Sequence, residues 1–186
     1  MNEKLLKSCI ANKCNVLLVG RHGVGKTQVV KSVFNELYGE MGVDWLYFSA
    51  STLDPWVDLI GIPKERTDDN GELYLDFVKP KALVNGKIKA IFFDELNRAH
   101  PKVTNAVMEL VQFGSINGKK FSELEAVWAA INPHEADSEQ ADQITYSVQQ
   151  LDPALKDRFH YHIDVPYEVN EEYFIKRFGQ KAGAGA

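Results

Sequence analysis

Eight consecutive residues, Gly20-Arg21-His22-Gly23-Val24-Gly25-Lys26-Thr27, hold the residue types needed to grip a phosphate. They fit the pattern G-x-x-x-x-G-K-[ST] in full, with Gly20, Gly25, Lys26 and Thr27 at its fixed positions. Glycines 20, 23 and 25 open conformations closed to residues with a Cβ, and they let backbone N–H groups approach phosphate oxygens closely. Lys26 offers a point charge to the β- and γ-phosphates, and the Thr27 hydroxyl offers a ligand to Mg²⁺. Arg21, His22, Val24 and Gln28 are carried with the loop as candidate nucleotide-binding positions, although the pattern leaves that of His22 variable.

A phosphate loop alone says nothing of what happens to the nucleotide. Asp94-Glu95 closes the apolar run Lys89-Ala90-Ile91-Phe92-Phe93. Ligands of an open α/β sheet bind beyond the carboxyl ends of its strands, so this pair would face the phosphate loop. Asp94 suits Mg²⁺, directly or through water, and Glu95 suits an attacking water that must be oriented or deprotonated. The plainer alternative is two acids capping the next helix. Asn132 ends Val127-Trp128-Ala129-Ala130-Ile131, where its amide could reach both a γ-phosphate oxygen and the water. Its alternative is an Asn opening a turn before Pro133. Arg158 could stabilise charge on a transferring phosphoryl group, in cis or from a neighbouring molecule. On the residues alone, a surface arginine paired with Asp157 or Glu168 is the plainer reading.

These residues need a scaffold, and the periodicities supply one. Asn15-Val16-Leu17-Leu18-Val19 is a buried-strand run ahead of the loop, and Val29, Val30, Val33, Phe34 and Leu37 recur behind it at helical spacing. That helix should run to about Tyr38, ended by Gly39 or Gly42. Residues 3–11 read as a short amphipathic helix with Leu5, Leu6, Cys9 and Ile10 inward, and 44–49 as a second strand. From Ala50 to Gly71 the signals are those of a long loop containing one short helix around Trp56, Leu59 and Ile60. Leu73–Val78 fits a short strand, and Pro80–Val84 a helical turn closed by Asn85-Gly86.

Pro101 opens a helix whose face is Val103, Ala106, Val107, Leu110 and Val111, and Gly114 stops it. Asn117-Gly118 signals a tight hairpin, and Ala126–Ile131 is another buried strand. Residues 134–150 are polar and irregular, 151–159 suggest a short helix, and 160–165 a last strand. Strands alternating with helices imply α/β architecture, a mostly parallel sheet with helices on both faces.

The 186 residues suit one domain, and 45% hydrophobic with 25% charged residues is the balance of a soluble globular protein. A formal charge of −5 argues against indiscriminate nucleic-acid binding. No apolar run is long enough for a membrane span, and no signal-peptide pattern opens the chain. Cys9 and Cys14 fit neither a zinc knuckle nor a redox pair, so reduced thiols in a cytoplasmic protein are expected. His160 and His162 lack the further ligands of a zinc site. Trp45, Trp56 and Trp128 read as core residues. Asn97-Arg98, close behind the acids, could serve a subunit interface or simply begin a helix.

Taken together, Asn15–Thr27, Asp94-Glu95-Leu96-Asn97-Arg98-Ala99, Val103–Lys119, Trp128–Pro133 and Leu151–Phe159 resemble the MoxR-type branch of the AAA+ ATPases, and more distantly the dynein and midasin ATPase modules. The resemblance covers about residues 12–165. It implies a three-layer αβα P-loop NTPase core with a central five-stranded sheet and a small hairpin insert. It implies Lys26 and Thr27 as Walker A residues, Asp94 and Glu95 as Walker B, Asn132 as sensor 1 and Arg158 as an arginine finger acting in trans. ATP with Mg²⁺, hydrolysis, and a homo-oligomeric ring, usually of six subunits, that remodels a protein partner are implied as well. Asn117-Gly118 would mark a hairpin facing substrate or pore.

Such proteins normally carry a helical lid with a sensor 2 arginine. Here about twenty residues follow Val165, and Arg177 sits in no lid motif. The expected organisation is therefore a core at 1–167 and, at 168–186, a tail or the start of a reduced or absent lid. A competing expectation is a nucleotide-gated assembly or adaptor module with little hydrolysis of its own. A small-molecule kinase would need an acceptor site and closing lid, and GTP specificity an Asn-Lys-x-Asp element; neither is visible.

Overall fold

The computed structural model describes residues 3–84, 87–132 and 150–166. The expected Asn85-Gly86 turn, the polar stretch up to 149, Arg177 and the tail lie outside them. Five parallel strands form the central sheet: β1 (Val16–Val19), β2 (Trp45–Ser49), β5 (Ala90–Asp94), β8 (Ala126–Ile131) and β9 (Tyr161–Asp164). Their order across the sheet is β2-β5-β8-β1-β9. Because all run the same way, every strand delivers its C-terminal end to one edge.

The inner strands are apolar on both faces, and each face has its own core. Helices α1 (Glu3–Ala11) and α2 (Lys26–Leu37) pack Leu6, Cys9, Ile10, Val30, Val33 and Phe34 against Val16, Leu18, Phe92 and Trp128. On the other face, after the short α3 (Lys81–Val84), α4 (Pro101–Phe113) and α5 (Pro153–Lys156) set Val103, Val107, Leu110 and Leu155 against Leu17, Ile91, Phe93 and Ala129. The result is the three-layer αβα sandwich. Phe34 anchors the first layer, edge-on to Trp45 at 5.3 Å and to Trp128 at 5.1 Å between ring centroids, the geometry favoured by aromatic quadrupoles.

At the opposite edge, Asn15 ties β1 to its neighbours. Its Oδ1 accepts from Val127 N at 2.8 Å and its own N–H donates to His160 Nδ1 at 2.7 Å. His162 Nε2 lies 2.8 Å from Lys156 O, so both histidines serve local structure. Among the described residues no cluster of metal ligands occurs. No described helix is long and apolar enough to cross a membrane.

Five expectations need correction. Residues 62–67 are not loop: β3 (Ile62–Thr67) pairs antiparallel with β4 (Leu73–Val78) as an exposed hairpin. Pro63-Lys64-Glu65-Arg66 shows no strand alternation, and only the partner strand's hydrogen bonds make it one. The polar Asp68-Asp69-Asn70-Gly71 is its turn, with Asp68 Oδ1 accepting from Asn70 N and Glu72 N and Gly71 at φ +84°. Trp56 is exposed, because the helical turn Pro55–Ile60 buries Leu59 instead; Lys102 Nζ sits 4.6 Å from the centroid of its ring. Leu5 and Leu37 are likewise exposed, lying beyond the width of their helices' buried stripes. Finally, the 151–159 helix contracts to α5, begun by the Asp152 cap on Ala154 N.

Candidate active site

The strand order sets Asp94, Asn132 and the phosphate loop beside one another. The loop leaves β1 at Gly20, flanked by β8, which ends before Asn132, and by β9. One strand further, β5 presents Asp94 and Glu95, and β2 runs out at Ser49.

The loop glycines have two different reasons. Gly23 and Gly25 sit at φ +83° and +82° with open space where a Cβ would go, so conformation alone demands glycine there. Gly20 shows no positive φ; a Cβ on it would lie 2.9 Å from Val165 O, so glycine is required by the close passage of the chain after β9. The conformational argument made for all three from sequence thus fails for Gly20. Val24 packs onto the α1–α2 core, anchoring the loop from beneath, while Arg21, His22 and Gln28 face solvent.

Lys26 is buried. Its Nζ donates to the carbonyls of Gly20 and of Arg21, the latter at 2.8 Å, and to Asn132 Oδ1 at 3.2 Å. Burial pushes the ammonium pKa down, and the nearby Asp94 and Glu95 carboxylates partly offset this. Thr27 Oγ1 donates to Asp94 Oδ2, so hydroxyl and carboxylate converge as oxygen ligands suited to a hard divalent cation. Tyr47, from β2, places its hydroxyl 3.4 Å from the same oxygen. Burial and then Asp94 raise the Tyr47 pKa, so the hydroxyl stays a donor.

Glu95 adopts left-handed backbone at φ 55°, ψ 40°, a conformation that costs a non-glycine residue roughly 1–2 kcal/mol. Ser51 Oγ donates to its Oε2 at 2.9 Å, while Arg98 Nη1 and His22 Nδ1 stand 3.6 and 3.7 Å from Oε1. Neither Ser51 nor Tyr47 was singled out from sequence, since Ser and Tyr near a strand's end carry no signal until the sheet's register is known. For Arg98 and its neighbour Asn97 the sequence offers a subunit interface or a helix start, not contact with Glu95 or Asn132.

Among the described residues, one buried amide donor of Asn132, Nδ2, has no hydrogen-bond partner. With the two positive-φ glycines and the convergent Thr27 and Asp94 oxygens, this donor fits a nucleoside triphosphate and its cation. Arg158 does not join the cluster. It precedes β9 at the opposite edge, exposed, its Nε donating to Gln112 Oε1 at 3.0 Å and its Nη1 to Ala154 O. The expected pairing with Asp157 is replaced by these contacts, and Glu168 lies outside the described residues.

Comparison with known proteins accords with this geometry. The model of the "ATPase family associated with various cellular activities (AAA)" matches residues 16–167. No curated protein matches the sequence. A solved structure from Cytophaga hutchinsonii, described as a candidate ATPase, superposes with a TM-score of 0.56 at 22% identity, covering 98% of this chain and 51% of that one. The likeness is one of fold, and this chain spans about half the length of that protein.

Proposed function

This chain belongs to the AAA family of ATPases, and from that premise we propose that it binds ATP with Mg²⁺ and hydrolyses it as a MoxR-type module. The observation that carries the reading is the convergence of Lys26, Thr27, Asp94 and Asn132 through direct hydrogen bonds at one sheet edge, with Glu95 next in the chain. Lys26 exchanges its loop carbonyls for the β- and γ-phosphates. Thr27 and Asp94 would hold Mg²⁺, which supplies charge neutralisation when bound. Asn132 Nδ2 donates to a γ-phosphate oxygen, and Glu95 orients or deprotonates the attacking water. Residues 1–167 form the working core, with 168–186 a tail or the beginning of a lid.

Arg158, on the edge away from Lys26, suits service in trans, so the module works in a homo-oligomeric ring, a hexamer by family resemblance, and remodels a protein partner. The β6–β7 hairpin (Ser115–Ile116 and Lys119–Lys120) is the element offered to that partner. One observation favours the second reading, a nucleotide-gated assembly module: Glu95 is already engaged by Ser51.

The decisive experiment pairs Glu95→Gln with Lys26→Ala. The glutamine keeps shape and a Ser51 acceptor but cannot act as base, so turnover falls about a hundredfold or more while ATP still binds. Lys26→Ala weakens ATP binding itself, measured by calorimetry. Wild-type turnover in Glu95→Gln removes the base assignment; unchanged ATP affinity in Lys26→Ala removes the phosphate-loop reading. Binding with negligible turnover in the unaltered protein selects the gated-assembly reading.

A further inference from the structure

Behind the two carboxylates the chain makes a 3₁₀ turn, Leu96–Arg98. Leu96 enters the core, as an apolar residue should, but Asn97 beside it is only 5% exposed. A buried amide must be partnered, and the partner here is informative: Asn97 Nδ2 donates to the backbone carbonyl of Asn132 at 2.9 Å.

Among the described residues, Asn97 Nδ2 is the donor to that carbonyl. The ladder between β1 and β8 ends with Val19 opposite Ile131, and Gly20 N donates to Ile131 O at 3.2 Å. Asn132 stands one residue past this last bond. Residue 133 is proline, so the peptide linking the two has no N–H, and the Asn132 carbonyl is its only hydrogen-bonding group. The direction in which the Asn132 side chain leaves the strand therefore depends on what holds that carbonyl. Lys26 contacts only the far end of the same side chain, at Oδ1. Two buried amide atoms, Asn132 Nδ2 and Asn97 Oδ1, have no partner among the described residues.

We propose that Asn97 is a positioning residue: by clamping the Asn132 carbonyl it aims Asn132 Nδ2 at the γ-phosphate and keeps Oδ1 on Lys26. The inference rests on the ATPase reading above. It makes the turn carrying Glu95 and the end of β8 one hydrogen-bonded unit, so the two groups that face the γ-phosphate move together. A purely structural Asn97 would instead support the turn and leave Asn132 indifferent to it.

The test uses Asn97→Ala, the size-conserving Asn97→Asp, which loses the donor, Asn132→Ala, and the Asn97→Ala/Asn132→Ala double variant. In nucleotide-free, ¹⁵N-labelled protein the Asn132 side-chain amide signal shifts in both Asn97 variants. ATP turnover drops about tenfold to a hundredfold in each, as expected when a reacting group is misaimed. ADP affinity, which needs no γ-phosphate contact, changes less than about twofold. Because Asn97 acts through Asn132, the double variant is no slower than Asn132→Ala alone. Wild-type turnover in Asn97→Asp, or losses that multiply in the double variant, overturn the proposal. If Asn97→Ala does not fold, Asn97→Asp carries the comparison. If the unaltered protein binds no ATP, the ATPase reading is what has failed; the Asn132 amide signal then decides alone, a shift upholding the clamp and an unmoved signal refuting it.

Discussion

Glu109→Ala should loosen the β6–β7 hairpin while leaving the nucleotide site intact. The Glu109 carboxylate, on the last turns of α4, accepts from Ser115 Oγ at 2.7 Å and from the turn amides of Asn117 and Gly118, each at 3.0 Å. Burial pushes its pKa up, but the hydrogen bonds from Ser115, Gly118 and Asn117, with Lys79 nearby, outweigh burial and set the net shift downward. A hydrogen bond to a charged group contributes about 1.5–3 kcal/mol. Asn117 and Gly118 are exposed, so water takes over much of what the carboxylate supplied, and the net loss is nearer about 1–2 kcal/mol.

For a domain of this size each kcal/mol moves the melting temperature by about 2–4 °C, so a fall of about 2–8 °C is expected. The pH dependence has a definite sign. A carboxylate with a depressed folded pKa contributes stability above its unfolded pKa and loses it as pH falls through the folded value. The gap between Glu109→Ala and the unaltered protein should therefore be full at neutral pH and close below the usual carboxylate range. Thermal unfolding stepped from neutral to acid pH, with hydrogen exchange at Asn117 and Gly118, measures both effects. A melting temperature within a degree of the unaltered protein, or a gap that persists in acid, refutes this account of the hairpin.

Arg158→Ala should bind ATP normally yet hydrolyse about a thousandfold more slowly, the scale of a trans arginine. Mixing it with Lys26→Ala should recover activity, since each mixed interface can unite an intact Lys26 with an intact Arg158; activity that stays lost in a mixture shown to co-assemble refutes action in trans. Gly114→Ala should cost about 1 kcal/mol, because Gly114 ends α4 at φ +63° with open space around it. Urea unfolding with an unchanged midpoint would contradict that. Gly20→Ala should perturb the protein for a different reason, collision with Val165 O at 2.9 Å, and calorimetry should register it as weakened ATP binding.

Much of the candidate site is legible in the sequence because the residues of a phosphate loop are local. A strand, three glycines, Lys26 and Thr27 lie within one short stretch, and backbone conformation plus one helix start suffice to read them. The same holds for Pro101 and Gly114, which bracket α4, and for the Asn117-Gly118 turn, where each residue's own φ/ψ preference decides the outcome. Apolar runs likewise announced β1, β5 and β8, because strands buried on both faces need no partner to identify them.

What the sequence left open depended on partners far along the chain. β3 is a strand only because β4 pairs with it; its own residues prefer no such thing. Trp56 reads as core in the sequence because aromatic residues usually are, yet the helical turn buries Leu59 and leaves Trp56 exposed. Tyr47, Ser51 and Asn97 reach the site across 47, 44 and 35 residues of sequence to Asp94, Glu95 and Asn132. No local preference encodes those distances. By itself the sequence determined which chemistry the chain carries, since that rests on residue type and short spacing. Which side chains restrain that chemistry was decided by the β2-β5-β8-β1 strand order, because only a parallel sheet brings those strand ends to one edge.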